Sequence, residues 1–546
     1  MNYNIAQTLP DTAKAYPERT GLICKTGRGK RSWTFREMDN TADWFAHSLS
    51  ERGVKRGDRV MLMVKPSLEF ITLTFALFKI GAVIILIDPG MGYRNLLRCI
   101  GQVKPEVFIG IVKAHLFKLI FPGPFKTVRI SICIASFGNM FSHFLSAEKA
   151  EQSSIYGTPF PTAEMQADDL AAILFTTGST GPPKGVRYDH SIFQAQLKLI
   201  RNYYLIGPGD IDQPAFPLFA LFSTGLGACS VIPEMNPAKP AQVDPAKFIR
   251  TINAHRVTYS FGSPAIWNVV SRYCLDHNIK LPSVEKILMA GAPVPGELLG
   301  RTMAILSDDA EIHTPYGATE SLPIASITAS EILAETWEKT RIGKGVCVGK
   351  PLPSIIIKII KTSDEPIENW EQSLLLSHYE TGEIVVKGPV VTSGYYNNDR
   401  ENQLAKIADG DECWHRMGDL GYFDEKGRLW FCGRKGHRVI TGSNIMYTVC
   451  CEALFNEHPS VFRSALVGVG PAKKQVPVII IEPHDKKINE KTLTAELLQI
   501  AQHNEITQPI EHFLVHSSFP VDIRHNAKIF REKLGTWAAE KLAIKG

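Results

Sequence analysis

The sequence predicts an α/β fold: a large N-terminal domain of two α/β subdomains plus a small β-subdomain, followed by a small α+β C-terminal domain. Three observations carry this expectation. Apolar runs of strand length alternate with helical periodicity in two separate regions, the mark of parallel sheets with helical crossovers. From Ile355 onward the texture changes to short alternating strands. Beyond Gly436, about 110 residues hold their own helix-strand-strand-helix run, enough for a separate domain.

The first alternation is a helix containing Thr41 to Arg52, a strand at Arg59 to Val64, a helix from Leu68, a strand at Ala82 to Ile87, a helix after Arg94 and a strand at Val107 to Ile109. Phe70 to Ile87 is apolar enough to suggest a membrane span. Lys79 and Gly81 split it and Asp88-Pro89-Gly90 ends it, so a buried helix followed by a buried strand is expected. A second apolar stretch, Val107 to Leu145, is interrupted by Lys113, Lys118, Pro122, Pro124, Lys126 and Arg129. A buried α/β segment is expected there, with contact at a membrane surface as the alternative. Ala147 to Asp168 is polar and punctuated, a surface connection.

The second alternation runs helix Pro245 to Asn253, strand Thr258 to Phe261, helix Ile266 to Cys274, strand Lys286 to Ala290, helix Gly296 to Leu306 and strand Glu311 to Thr314. Strands at Ile355 to Ile360, Gly382 to Lys387, Gly421 to Phe423 and Leu429 to Phe431, with a turn at Glu425-Lys426-Gly427, make the β-subdomain. The last unit holds helix Val449 to Asn456, strands Ser464 to Val469 and Val476 to Glu482, and helix Lys491 to His503. The boundary is placed so that residues 1–435 form the N-terminal domain and 436–546 the C-terminal one.

Composition narrows the function classes. The 546 residues are 44% hydrophobic and 21% charged, the usage of a soluble globular chain. A formal charge of +5 is small for this length and argues against a dedicated nucleic-acid binder. The ten cysteines include no CxxC pair and no zinc-ligand spacing, so reduced thiols in the cytoplasm are expected. The first residues lack a basic segment followed by an apolar one, so secretion is not expected.

The strongest local signal is Leu174-Phe175-Thr176-Thr177-Gly178-Ser179-Thr180-Gly181-Pro182-Pro183-Lys184-Gly185-Val186, after an apolar strand from Ala171. Glycines permit tight turns, hydroxyls and amides donate to phosphate oxygens, and Lys184 completes an anion site. It is not the nucleotide loop that ends in Lys-Ser/Thr, because Gly185 follows Lys184.

This segment resembles the signature of the adenylate-forming superfamily of acyl-CoA synthetases, nonribosomal adenylation domains and luciferases. Further motifs follow in the superfamily's order. Ala290-Gly291-Ala292-Pro293 resembles its adenine-side loop, Tyr316-Gly317-Ala318-Thr319-Glu320 its adenine-stacking and metal motif, and Trp414-His415-Arg416-Met417-Gly418-Asp419-Leu420 its ribose motif. Gly433-Arg434 resembles the hinge motif and Glu452 the helix glutamate after it. The resemblance implies ATP and magnesium as cofactors and a mobile C-terminal domain carrying a catalytic lysine. By the same resemblance Thr176 to Thr180 and Lys184 hold phosphates, and Gly291, Ala292, Pro293, Tyr316 and Gly317 face the adenine. Thr319 donates to the α-phosphate, Glu320 holds the metal, and Asp419 and Arg434 take the ribose. Lys528 fills the catalytic lysine position, within Asn526-Ala527-Lys528, with Lys533 as its competitor.

Three departures fall where the superfamily organises its second half-reaction. Pro217-Leu218-Phe219-Ala220 lacks the histidine of many acyl-CoA synthetases. The hinge position is Gly436, which permits rotation. The thiol-tunnel loop is replaced by Gly442 to Glu452, ending Tyr447-Thr448-Val449-Cys450-Cys451-Glu452. The first and third of these, with Pro520-Val521-Asp522-Ile523-Arg524-His525-Asn526-Ala527-Lys528 near the C-terminus, resemble the β-lactone synthetases of bacterial long-chain olefin formation. That resemblance implies adenylation of a 2-alkyl-3-hydroxy fatty acid, then attack by its own 3-hydroxyl to expel AMP without CoA, with other olefin-pathway enzymes as possible partners. An apolar acyl pocket is then expected around Phe216, Phe219, Ala220, Phe222, Phe261 and Trp267, with Ser223, Gly225 and Gly227 making room for a second chain. His190 matches a histidine common after the phosphate loop and His525 sits near Lys528; both are read as structural or solvent-exposed, and no residue is assigned as the base. Two alternatives share the fold: an AMP-forming long-chain acyl-CoA synthetase and a non-catalytic scaffold.

Overall fold

A computed structural model of the chain describes residues 2–26, 29–87, 89–134, 144–176, 182–216, 218–442, 444–521 and 529–543. Among them, the first α/β layer is a seven-stranded sheet in the order Phe144–Leu145, Ile130–Ile134, Val107–Gly110, Arg59–Met63, Val83–Leu86, Leu170–Thr176, Lys184–Asp189. All its neighbours are parallel except the last pair. The helix Phe35–Glu51 starts from a reciprocal cap, with Thr34 and Glu37 each bonding the other's backbone N–H. The helix Leu68–Ile80 is buried on nearly every side. Its Lys79 is enclosed in the protein because Asp39 at 2.6 Å and Asp43 both pair with it. No helix among the described residues is long and apolar enough to cross a membrane.

The Val107 to Leu145 stretch divides. Its strands Val107–Gly110 and Ile130–Ile134 join the sheet, but the helix Val112–Ile120 between them buries only Ala114. The expected buried α/β segment is therefore half right: the strands have neighbours to bury them, and among the described residues the helix has none on its outer side.

The second layer is again seven-stranded among the described residues: Glu311–His313, Lys286–Met289, Tyr259–Gly262, Ile211–Asp212, Cys229–Val231, Thr20–Thr26, Gly29–Thr34. The N-terminal hairpin Thr20–Thr26 and Gly29–Thr34 thus completes the second sheet, next to Cys229–Val231, although the first sheet follows it in the chain. Antiparallel strands from Tyr316–Ala318 to Leu429–Arg434 form the third unit. A small C-terminal domain follows, in which Val461–Val469, Val476–Pro483 and His512–Val515 carry the helices Thr448–Asn456, Glu490–Gln502 and Arg531–Leu542.

His190 opens the helix His190–Tyr204 and is fully enclosed. Its Nδ1 accepts from the Ile5 N–H at 3.2 Å, and its ring stands edge-on to Phe78. Burial pushes its pKa down from 6.5 to about 4. The neutral ring is therefore a folded-state requirement, satisfied above the unfolded pKa and violated as pH falls towards the folded one. Wild type is expected to lose about 3 kcal/mol between pH 7 and 4 that His190→Gln does not lose. Urea unfolding of both chains across that range checks this.

Candidate active site

Tyr316–Ala318 runs antiparallel to Ser321–Ser326 with Ala318 opposite Ser321, so Thr319 and Glu320 are the two residues of a tight turn. Gly317 is what lets the strands close: a Cβ there would lie 2.6 Å from the Ser321 carbonyl oxygen. The turn's backbone is held from two sides. The Tyr188 hydroxyl donates to the Thr319 carbonyl at 2.7 Å, and the Thr392 N–H donates to the Glu320 carbonyl at 2.9 Å. Both turn side chains are half-buried, and the Tyr395 hydroxyl donates to Glu320 Oε1 at 2.8 Å.

On the neighbouring strands Glu412–Phe423 and Leu429–Arg434, Asp419 lies opposite Arg434. The guanidinium is 3.0 Å from Asp419 Oδ1, and the Tyr316 hydroxyl donates to Oδ2 at 2.6 Å. Burial and the Asp419 charge push the Tyr316 phenol well up, while Asp419 holds Arg434 above its ordinary value. The two motifs read separately in the sequence, Tyr316 as a flat face and Asp419 as a diol acceptor, are thus one hydrogen-bonded unit.

The third part is cationic. Thr176 pairs with Lys184 across the antiparallel hairpin, so the backbone brings both ends of the Gly-Ser-Thr segment together. Thr177, Gly178, Ser179 and Thr180 lie outside the described residues. Lys184 ion-pairs with Glu401 and stands 5.1 Å over the Tyr395 ring, whose hydroxyl is on Glu320. Lys406, in the strand Lys406–Asp409, donates to the Thr392 carbonyl. Burial pushes it down to about 8 against the opposing pull of Cys413 and Glu320. Tyr395, Glu401 and Lys406 were not anticipated, because no sequence motif surrounds them.

Gly291, Ala292 and Pro293 form an accessible loop after the strand Lys286–Met289, with Gly291 at φ 100°. Lys528 lies outside the described residues; Lys533 is exposed, its ammonium 5.0 Å over the Phe530 ring. Among the described residues no three His, Cys, Asp or Glu side chains converge as a metal cluster. A cation at this turn would draw on the Glu320 carboxylate alone, which suits magnesium, an ion that keeps water and substrate phosphates as its other ligands.

The helix Phe219–Leu226 separates two apolar regions. On one side Phe219 stacks on Phe261 with ring centroids 3.7 Å apart. On the other, Phe222 and Gly225 line a cavity with Phe78, Phe193, Leu197 and Thr8. Tyr188, Phe193 and Phe222 are in successive ring contact, at 5.1 and 6.3 Å, so this cavity stands two rings from the Thr319 turn. Ala220 is fully buried, and Trp267 is enclosed in the core, edge-on to Phe248. Ser223 donates to buried Asp212 at 2.5 Å, and Gly227 ends the helix at φ 80°.

Gly436 sits in the short turn Lys435–His437. Beside it Lys435 and Arg416 share buried Glu383, each at 2.7 Å. Cys450 and Cys451 are buried on the helix Thr448–Asn456 with their thiols pushed up, packing residues rather than redox ones.

The chain has relatives among known proteins. The chain is 41% identical to the olefin beta-lactone synthetase of Stenotrophomonas maltophilia, over 99% of this chain and 98% of that one. It is 42% identical to the olefin beta-lactone synthetase of Xanthomonas campestris pv. campestris, over 98% of both. The ATP-bound MatB of Rhodopseudomonas palustris has the same fold, with a TM-score of 0.78 at 20% identity over 99% of this chain and 100% of that one. The family model described as AMP-binding enzyme matches residues 9–396, a span that contains the Lys184 hairpin, the Thr319–Glu320 turn and Tyr395, and so the chain belongs to the family of AMP-binding enzymes.

Proposed function

We propose that the chain joins a long-chain 2-alkyl-3-hydroxy acid to AMP and then closes it to a β-lactone. In the first step a carboxylate oxygen of the acid attacks the α-phosphorus of ATP, a P–O bond forms, and the bond to pyrophosphate breaks. In the second, the 3-hydroxyl oxygen of the same molecule attacks the activated carbonyl. The bond to AMP breaks, the hydroxyl proton leaves with the departing phosphate or solvent, and a four-membered ring results. Holding nucleophile and electrophile in one molecule replaces a second substrate. Identity over nearly the whole chain with two olefin beta-lactone synthetases carries this reading.

The residues have matching roles. Asp419 and Arg434 take the ribose, the Tyr316 ring with Gly317 and the Gly291-Ala292-Pro293 loop flanks the base, and Thr319 donates to the α-phosphate. Lys184 and Lys528, with Thr176 to Thr180, meet the phosphates, and Lys406 adds a cation beneath Thr392. Magnesium held at Glu320 supplies charge neutralisation for the triphosphate. Phe222 and Gly225 line the cavity for one alkyl arm and Phe219 faces the other side of its helix, with Ala220 and Trp267 backing these walls from the core. The domains divide between residues 435 and 436, the enzyme works in the cytoplasm, and the other enzymes of olefin formation are its partners.

Two experiments follow. A 2-alkyl acid lacking the 3-hydroxyl is expected to support ATP-pyrophosphate exchange but to release AMP no further than about one equivalent per enzyme; sustained AMP release from it would sink the intramolecular step. Gly225→Leu directs a side chain towards Leu197, which a Cβ at 225 already meets at 3.1 Å. It is expected to raise KM for a long two-armed acid about tenfold, the scale set by one or two lost methylene contacts, and to leave that of a short-armed acid within about twofold.

A further inference from the structure

The helix Val112–Ile120 lies between two strands of the first sheet and turns one side inward: Ala114 is buried, His115 Nε2 is 3.0 Å from the Ile132 carbonyl, and Phe117 packs with Phe121 and Phe125. Its outer side is also apolar. Val112 is 54% exposed, Leu116 57%, Leu119 76% and Ile120 61%, and Tyr93, 55% exposed, stacks on Phe121 at 6.2 Å. No other stretch of the described residues exposes so many large apolar side chains together. A soluble surface rarely leaves such a crest uncovered.

Charge identifies what covers it. From Pro89 to Ile134 the sequence carries seven Lys or Arg and one carboxylate, Glu106, an excess larger than the +5 of the entire chain. Arg94, Arg98, Lys113 and Lys126 are exposed and make no ion pair among the described residues. Protein interfaces are depleted in lysine at their centres. An apolar crest among unpaired cations matches the boundary of an anionic bilayer, where the side chains enter the headgroup layer and the cations meet lipid phosphates.

We propose that the Val112–Ile120 helix and Tyr93 seat this chain on the surface of anionic phospholipid membranes without crossing them. The contact stands independently of the lactone reading. It gives the enzyme a lipid phase from which a water-insoluble substrate is drawn and to which the product returns.

The test is co-sedimentation of the full-length chain with vesicles of phosphatidylcholine alone or mixed with phosphatidylglycerol. The mixed vesicles are expected to bind it, salt is expected to weaken binding, and Leu119→Glu/Ile120→Glu to weaken it by about tenfold or more. ATP-pyrophosphate exchange with a short, soluble hydroxy acid is expected to be the same in variant and wild type, which shows that the variant folds. Absence of binding to the mixed vesicles, or equal binding by the variant, overturns the proposal. So does a wild-type oligomer in gel filtration that the double variant dissolves, since the crest would then join copies of the chain.

Discussion

Asp419→Ala is expected to lower kcat/KM for ATP by about 100-fold or more, because two hydrogen bonds from the ribose hydroxyls to a carboxylate are worth ~1.5–3 kcal/mol each. The structure adds a finer expectation. One Asp419 oxygen accepts from the Tyr316 hydroxyl at 2.6 Å and the other faces Arg434 at 3.0 Å. A sugar must share or displace these bonds. Tyr316→Phe keeps the ring and removes the competing hydroxyl, so its ATP affinity is expected to equal or exceed that of wild type, while Asp419→Asn, similar in shape but uncharged, falls with Asp419→Ala. Calorimetric titration with ATP and steady-state kinetics on the three variants check this. A Tyr316→Phe chain that binds ATP as weakly as Asp419→Ala would show that the phenol, and not the carboxylate, makes the decisive contact.

The largest stability effect is expected at Arg531. Its guanidinium reaches both Glu452 oxygens, at 2.8 and 2.7 Å, and the Leu466 N–H donates to the same carboxylate at 2.8 Å. Burial pushes Glu452 up and Arg531 opposes it. Arg531→Met leaves an enclosed carboxylate without its cation, a change that costs ~3–5 kcal/mol. Arg531→Met/Glu452→Gln removes both charges and is expected to recover most of that loss. Urea unfolding followed by amide hydrogen exchange of the C-terminal strands and helices reads that domain. The pair also bears on function, because Arg531 opens the helix that follows the segment holding Lys528. Loosening it is expected to reduce adenylation as well as stability, with recovery of both in the double variant.

Much of the fold was legible because its signals are local. The alternation from Arg59 to Gly110 and from Pro245 to His313 follows residue by residue from apolar runs bounded by caps and turns, and the strands found there begin and end within a few residues of those expected. The partnership of Thr20–Thr26 with Cys229–Val231 was not legible, since a period-two pattern fixes a strand's faces but not its neighbour. The outward side of Val112–Ile120 was held only as the alternative for a related reason: apolar composition suggests burial, and only the finished packing leaves Leu119 uncovered among the described residues. In the site, the glycines and the Thr319–Glu320 turn stood out as motifs. Tyr395 did not, because it reaches Glu320 from 75 positions away and Lys184 through its ring face, contacts that no spacing encodes.

Capture of the activated acid by its own hydroxyl is decided by product analysis. Purified enzyme would be given ATP, magnesium and a synthetic long-chain 2-alkyl-3-hydroxy acid, with and without CoA, and the products read by proton NMR. A β-lactone formed at the same rate in both samples is the expected result. A thioester that forms only when CoA is present, with no lactone in its absence, would contradict it and make the chain a conventional acyl-CoA synthetase.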